Sequence, residues 1–238
     1  KPEAVAFDDV DSIAIVTNNG CSTGSIAILN MDQTGTKYGG AAYGSVIGKL
    51  NVGQGPLGVA VIPRLHLAVV ANNTDATASI IDITDPTKPA LKVTTNVAVG
   101  IAPQGVAIDQ DRALALIANS GSSTLSYIDL TVLLKSTPGT PTSVPIATDA
   151  QPRGIAIDPN RSIAVVTAVQ FPTIAASYGA LDVIVLSGSV PVKSSSATVT
   201  GITNTPTGIV YDPAVSPALF YATSTGSNAV YAFNPDTS

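Results

Sequence analysis

The chain has 238 residues, 45% hydrophobic and only 11% charged, with a formal net charge of −5. An acidic chain with 5% aromatics and no basic run lacks the cationic patches and stacking rings of a nucleic-acid binder, and it is equally unsuited to an anionic membrane surface. No apolar stretch approaches the roughly 20 residues that span a bilayer, and one domain is the economical organisation at this length.

The first apolar run is residues 2–7 (PEAVAF), followed by a turn at Asp8, Asp9, Val10 and Asp11 and two more runs at 13–17 and 25–29. The opening segment then returns as 56–61 (PLGVAV), 103–108 (PQGVAI), 152–157 (PRGIAI) and 206–211 (PTGIVY), at intervals of 47 to 54 residues. Second runs follow at 67–71, 114–118, 163–167 and 219–222, and third runs at 79–83, 124–128, 181–186 and 229–233. In the clearest copy, Asp158-Pro159-Asn160-Arg161 is a turn quartet with proline pre-set at its second position, and a weaker, polar fourth strand is expected near 196–200. Helical periodicity is confined to 131–135, too short to stand alone beside Pro138. The segment 136–144 (STPGTPTSV) reads as a connection into a fourth strand rather than a linker.

A supersecondary unit repeated at this period cannot bury its apolar face alone, and four strands per unit is the arrangement of a β-propeller blade. The fold expected is therefore all-β: a single propeller domain over 1–238 of four-stranded antiparallel blades, with repeats starting near 2, 56, 103, 152 and 206. The five copies form either a closed five-blade ring or part of a larger propeller. Gly58, Gly105, Gly154 and Gly208, with Ala4 in the first copy, start the innermost strands, where a small residue lets neighbouring backbones approach near the axis or simply ends the turn after the proline. Val5, Val59, Val106, Ile155 and Ile209, next in line, are expected to be inaccessible.

Ile15-Val16-Thr17-Asn18 after the first strand resembles the YVTN repeat of surface-layer and other secreted propellers, as do Val69-Val70-Ala71-Asn72 and Leu116-Ile117-Ala118-Asn119. The stretch from Ile81 to Pro89 resembles the LVIVD type of cell-surface repeat, and the layout is similar to NHL repeats. Copies four and five depart from the pattern, with no asparagine after Thr167 or Ala222. The resemblance implies architecture and a secreted, periplasmic or cell-surface location; such propellers host adhesion, partner binding, lactone hydrolysis and lyase chemistry alike. One cysteine, one methionine and a surface polar through hydroxyls and amides fit the same location. Lone Cys21 reads as a loop filler, and the sequons at Asn72 and Asn160 matter only in a eukaryotic secretory pathway.

Binding residues of a propeller gather at one mouth of the channel, on the connections between second and third strands and at the starts of first strands. The candidates are Glu3, Leu57, Gln104, Arg153 and Thr207 after the repeat prolines, and Asn18, Asn72, Asn119 and Gln170 in the connections. The longest connection, 168–180, carries Gln170, Phe171 and Tyr178. The asparagines equally suit turns that bond their own backbone. Catalytic groups are scarce: His66, the only histidine, falls in a turn on the opposite face, and no G-x-S-x-G elbow exists. Asp8, Asp9 and Asp11 lack the glycine and glutamate of a calcium loop and read as turn acids. No metal or cofactor is expected. The sequence thus points to a binding or adhesion scaffold for a protein or a small polar ligand, or, as the second reading, to a channel-mouth hydrolase or lyase using Glu3 and Arg153. With neither end of the sequence supplying a fourth strand to the fifth copy, Ala229–Phe233 is expected to be an uncharged edge open to self-association.

Overall fold

The computed structural model describes residues 1–20, 23–135, 137, 139–173, 176–188, 190–194, 206–225 and 227–236, with backbone alone at 170–173 and 176–178. Each repeat forms one antiparallel sheet. Sheet 1 is β1 (Pro2–Asp8), β2 (Ile13–Asn19), β3 (Gly24–Asn30) and β4 (Val46–Val52). Sheet 2 is β5 (Pro56–Ile62), β6 (Leu67–Asn72) and β7 (Thr77–Asp82), with the short β8 (Ala90–Leu91) and β9 (Val97–Ala98) both on β7. Sheet 3 is β10 (Pro103–Asp109), β11 (Leu114–Asn119), β12 (Thr124–Asp129) and β13 (Ser143–Ala147). Sheet 4 is β14 (Ile155–Asp158), β15 (Ile163–Thr173), β16 (Ala176–Val185) and β17 (Val192–Lys193), and sheet 5 is β18 (Pro206–Asp212), β19 (Leu219–Ser224) and β20 (Ala229–Phe233).

One expectation needs correcting. Residues 168–173 and 176–180 are not a connection but a continuation of β15 and β16, the backbone ladder running on past the point where the other sheets turn, as far as Thr173 opposite Ala176. The outer strand described in sheet 4 is the two-residue β17; the expected strand at 196–200 lies outside the described residues, as does Cys21. The helical look of 131–135 resolves as a 3-10 turn, Leu130–Leu134, whose first turn is capped by Asp129 accepting from the Thr131 N–H.

The sheets stack face to face, and alternation along each strand sends one set of side chains to each neighbour. Ile13, Ile15, Ile26 and Ile28 of sheet 1 meet Val59, Val61, Val70 and Ile81 of sheet 2. The other face of sheet 2, with Val69, Ala71 and Ile80, meets Ile108, Ala115, Ile117 and Ile128 of sheet 3. Sheet 3 continues onto sheet 4 through Leu116, Leu125, Val166 and Ile184, and sheet 4 onto sheet 5 through Val165, Leu181, Phe220 and Phe233. β6 and β11, covered on both sides, are buried at every residue.

The repeat glycines make this spacing possible near the axis. A Cβ on Gly58 would lie 2.2 Å from the Gln104 carbonyl oxygen, one on Gly105 2.0 Å from that of Arg153, and one on Gly154 2.8 Å from that of Thr207. The innermost strands therefore follow one another as β1, β5, β10, β14 and β18. At the first junction Ala4 holds the position, and the buried Thr17 hydroxyl accepts from the Ala4 N–H and donates to the Leu57 carbonyl at 2.7 Å. A Cβ on Gly208 would meet only the Thr223 hydroxyl.

Of the five residues expected to be inaccessible, only Val59 is, at 8% exposed; Val106, Ile155 and Ile209 are half-buried and Val5 is 50% exposed. For Val5 the reason is directional. Val59, Val106, Ile155 and Ile209 all pack back onto the preceding sheet, and no described residue precedes sheet 1 in the stack.

On the face away from the repeat prolines, the turns between first and second strands are tied sheet to sheet. His66 Nδ1 lies 2.9 Å from Asp11 Oδ2; Arg64 donates to the carbonyls of Gln110 and Asp111, and Gln110 donates back to Val61. Arg112 pairs with its own turn acid Asp109 and donates to Ser162. Arg161 pairs with Asp158 and reaches Asn234, Asp236 and the Ala218 carbonyl of sheet 5. Asp8, Asp109 and Asp158 are buried turn acids accepting from backbone N–H groups. Burial works to raise the Asp158 pKa, but the Arg161 side-chain and backbone N–H groups more than offset it and hold it below the ordinary value. Its contribution is therefore present above the unfolded pKa near 3.9 and lost as pH falls through the lower folded value. Arg161→Ala should cost on the order of 2–3 kcal/mol at pH 7, allowing for the partial exposure of the arginine. Urea titrations at pH 7 and pH 3 check this: the difference from wild type should shrink at pH 3.

Candidate functional site

Register places the expected site residues at one end of the stack. Pro2, Pro56, Pro103 and Pro206 pair with Asn18, Asn72, Asn119 and Ser224, so the starts of the first strands and the ends of the second share the mouth face. Gln104, Arg153 and Thr207 follow one another on adjacent innermost strands or the run leading into them, their carbonyls against the preceding glycines.

The asparagines serve the frame. Asn72 and Asn119 are fully buried, and each donates through Nδ2 to two hydroxyls of the third strand: Thr77 and Ser79 in sheet 2, Thr124 and Ser126 in sheet 3. They press on Gly53 and Gly100, where an added Cβ would fall 2.6 and 2.7 Å from the amide side chains. Asn18 is half-buried and bonds its own strand at Val16. A polar residue at the end of an all-buried strand is the sequence signal for this framing role.

In sheet 4 the same place is filled differently. Ala168 stands where Asn119 does, and Asp182, opposite Val166, stands where Ser126 does opposite Ile117. Asp182 is fully buried; Lys193 Nζ lies 2.7 Å from its Oδ1 and 2.9 Å from Asp149 Oδ1, and Asp182 Oδ2 accepts from the Asp149 N–H. Burial pushes the Asp182 pKa up to about 6 in spite of Lys193, while the two carboxylates hold the ammonium above the ordinary lysine value against its own burial.

The remaining mouth residues differ in how tightly they are held. Gln104 donates to Ser120 at 2.9 Å, and Glu3 is paired with Lys1 at 2.8 Å rather than with Arg153. Arg64, Arg112 and Arg161 are all engaged, as above. Arg153, half-buried, has no ion pair or side-chain hydrogen bond among the described residues, and its Nε is buried without a partner. Gln170, opposite Tyr178, and Phe171 lie on the extended part of β15 and β16; their side chains are outside the described residues. This hairpin runs five residues past Ala168, about 17 Å of extended chain. Away from the mouth, a hollow lined by Arg112, Tyr127, Asp129, Val144 and Leu186 opens between sheets 3 and 4, which the sequence did not indicate. No group of metal-ligating side chains is found among the described residues.

No protein-family model matches the chain, and neither does any curated protein. Among solved structures it is similar to hydrazine synthase of Kuenenia stuttgartiensis, with 17% identity and a TM-score of 0.69 over 98% of this chain and 65% of that one. It is also similar to the periplasmic gluconolactonase of Pseudomonas aeruginosa, at 12% identity and TM-score 0.64 over 98% of this chain and 71% of the other. A chain of a nidogen/laminin complex matches at 13% identity and TM-score 0.62, over 99% of this chain and 76% of its own length. This chain thus spans just under two thirds of the hydrazine synthase chain. At these identities the likeness concerns the fold: five antiparallel sheets stacked about an axis, a β-propeller-like architecture.

Proposed function

We propose that the protein is a secreted, periplasmic or cell-surface binding scaffold of the YVTN, NHL or LVIVD repeat type, taking a protein segment or small polar ligand at the channel mouth. The observation that carries this reading is Arg153. Three of the four arginines are spent on tying turns together, whereas the fourth is held at the mouth with a buried, unpartnered Nε. A carboxylate suits the two-pronged guanidinium, and Phe171 or Tyr178, carried on the extended hairpin, is our candidate for an apolar wall. The nidogen/laminin neighbour gives the protein-binding form of this reading an analogue.

Thermal shift with a panel of sugar acids and short acidic peptides tests it. A binder should raise the wild-type melting temperature and lose that effect in Arg153→Ala, whose own stability should change by no more than about 0.5 kcal/mol. A lowered melting temperature with undiminished ligand response would make Arg153 structural.

The likeness to a gluconolactonase supports a second reading, lactone hydrolysis at the same mouth. Glu3, the single glutamate, is its carboxylate candidate, although its partner is Lys1 and it belongs to sheet 1, two sheets away from Gln104. Lactone turnover abolished by Glu3→Gln would favour this reading over the scaffold.

A further inference from the structure

We infer that the outer faces of sheets 1 and 5 are docking surfaces, and that their occupant is a wedge of two further blades of this same repeat. The repeat itself supplies the comparison. Val230 of β20 corresponds to Ile26, Ala78, Leu125 and Leu181, each opposite the matching residue of its second strand, and all four are fully buried against the next sheet, whereas Val230 is 65% exposed. Val210, opposite Tyr221, stands where Ala6, Ala60 and Ala156 face the next sheet, and it is 58% exposed. On sheet 1, Val5 and Phe7 stand where Val59 and Val61, or Val106 and Ile108, pack back onto the preceding sheet; Phe7 is 64% exposed. Every other copy of these positions is covered by a sheet, so the surface matches a sheet of the same kind.

The edge agrees with the faces. β20 pairs with β19 on one side and with no other described strand, whereas the third strand of every other sheet has an outer partner. An occupant bringing a strand to β20 would complete the fourth position there.

The size of the occupant follows from the solved neighbours. They superpose on 98–99% of this chain, yet that match covers only 65–76% of their own length. The uncovered share corresponds to about two repeats of 47 to 54 residues. A second copy of this chain, itself a five-sheet arc, is too large for a gap of two blades.

The test compares dye binding by the 238-residue chain with that of a fusion carrying an added copy of residues 53–149, two of its own repeats, after residue 236. The probe is 8-anilinonaphthalene-1-sulfonate. The 238-residue chain should bind the dye, and Val5→Asp with Val230→Asp should reduce the signal severalfold without lowering its melting temperature. The fusion should lose the dye signal and melt higher, and within it Val230→Asp should become destabilising. If the fusion does not fold, placing the added pair ahead of residue 1 gives the same reading. A folded seven-repeat chain that keeps the full dye signal overturns the inference. So does a 238-residue chain that is dye-silent, whether as a monomer or as a dimer broken by the two aspartates, since a second copy would then be the occupant.

Discussion

Lys193→Met is expected to destabilise the protein by about 3–5 kcal/mol at pH 8, the cost of leaving a buried carboxylate without its counter-charge. Asp182 is fully buried between sheets 3 and 4, and Lys193 is its only cationic contact among the described residues. Because burial raises the Asp182 pKa to about 6, above the unfolded value near 3.9, this carboxyl favours the fold most when protonated and least once pH has risen through its folded pKa. Loss of the ammonium raises that pKa further, so the deficit should be much smaller at pH 5 than at pH 8. Chemical denaturation of wild type and variant at the two pH values measures this. The double variant Lys193→Met with Asp182→Asn should recover most of the loss at pH 8, and failure to recover would show that the lysine stem, not its charge, holds the site.

The second large effect is steric. Gly105→Ala places a methyl group 2.0 Å from the Arg153 carbonyl oxygen, and backbone on both sides of the contact prevents either from yielding without opening the stack. The expected cost is about 3 kcal/mol, at the upper end for overpacking. Gly208→Ala, where the added Cβ meets only the Thr223 hydroxyl at 3.1 Å, should cost under about 1 kcal/mol. Melting temperatures of the two variants should therefore separate clearly, and equal losses would mean that glycine is needed for the turn after the proline instead of the close approach.

Much of this arrangement is legible in the chain because each repeat carries its own instructions. The proline, the small residue two places on and the apolar run recur within one short segment, with an acidic turn after it in all but the second copy, so five copies reinforce a single assignment. The positions of Glu3, Gln104 and Arg153 follow from the same pattern. What the pattern does not contain is the identity of neighbours. Val5 reads like Val59 in sequence, and its exposure depends on a sheet that no local signal describes. Asn72 and Asn119 read like turn or ligand residues, yet a fully covered second strand turns them inward onto the third. Lys193 and Asp182 are 11 residues apart and belong to a repeat that has dropped the asparagine, so their pairing has no precedent in the other copies. The extended hairpin was hidden by Pro172 and a run of small residues that look like a loop.

The turn-to-turn ties opposite the mouth have a consequence for how the molecule opens. Each tie joins only adjacent sheets, as each apolar cluster does, so among the described residues cohesion is a sum of nearest-neighbour terms. In the 238-residue chain taken by itself, with the outer faces of sheets 1 and 5 uncovered, local unfolding proceeds inward from those two sheets, each retained by one neighbour instead of two. The amides of β6 and β11, enclosed on both faces, are then the last to exchange with solvent, and sheets 1 and 5 can loosen while the central three keep their structure.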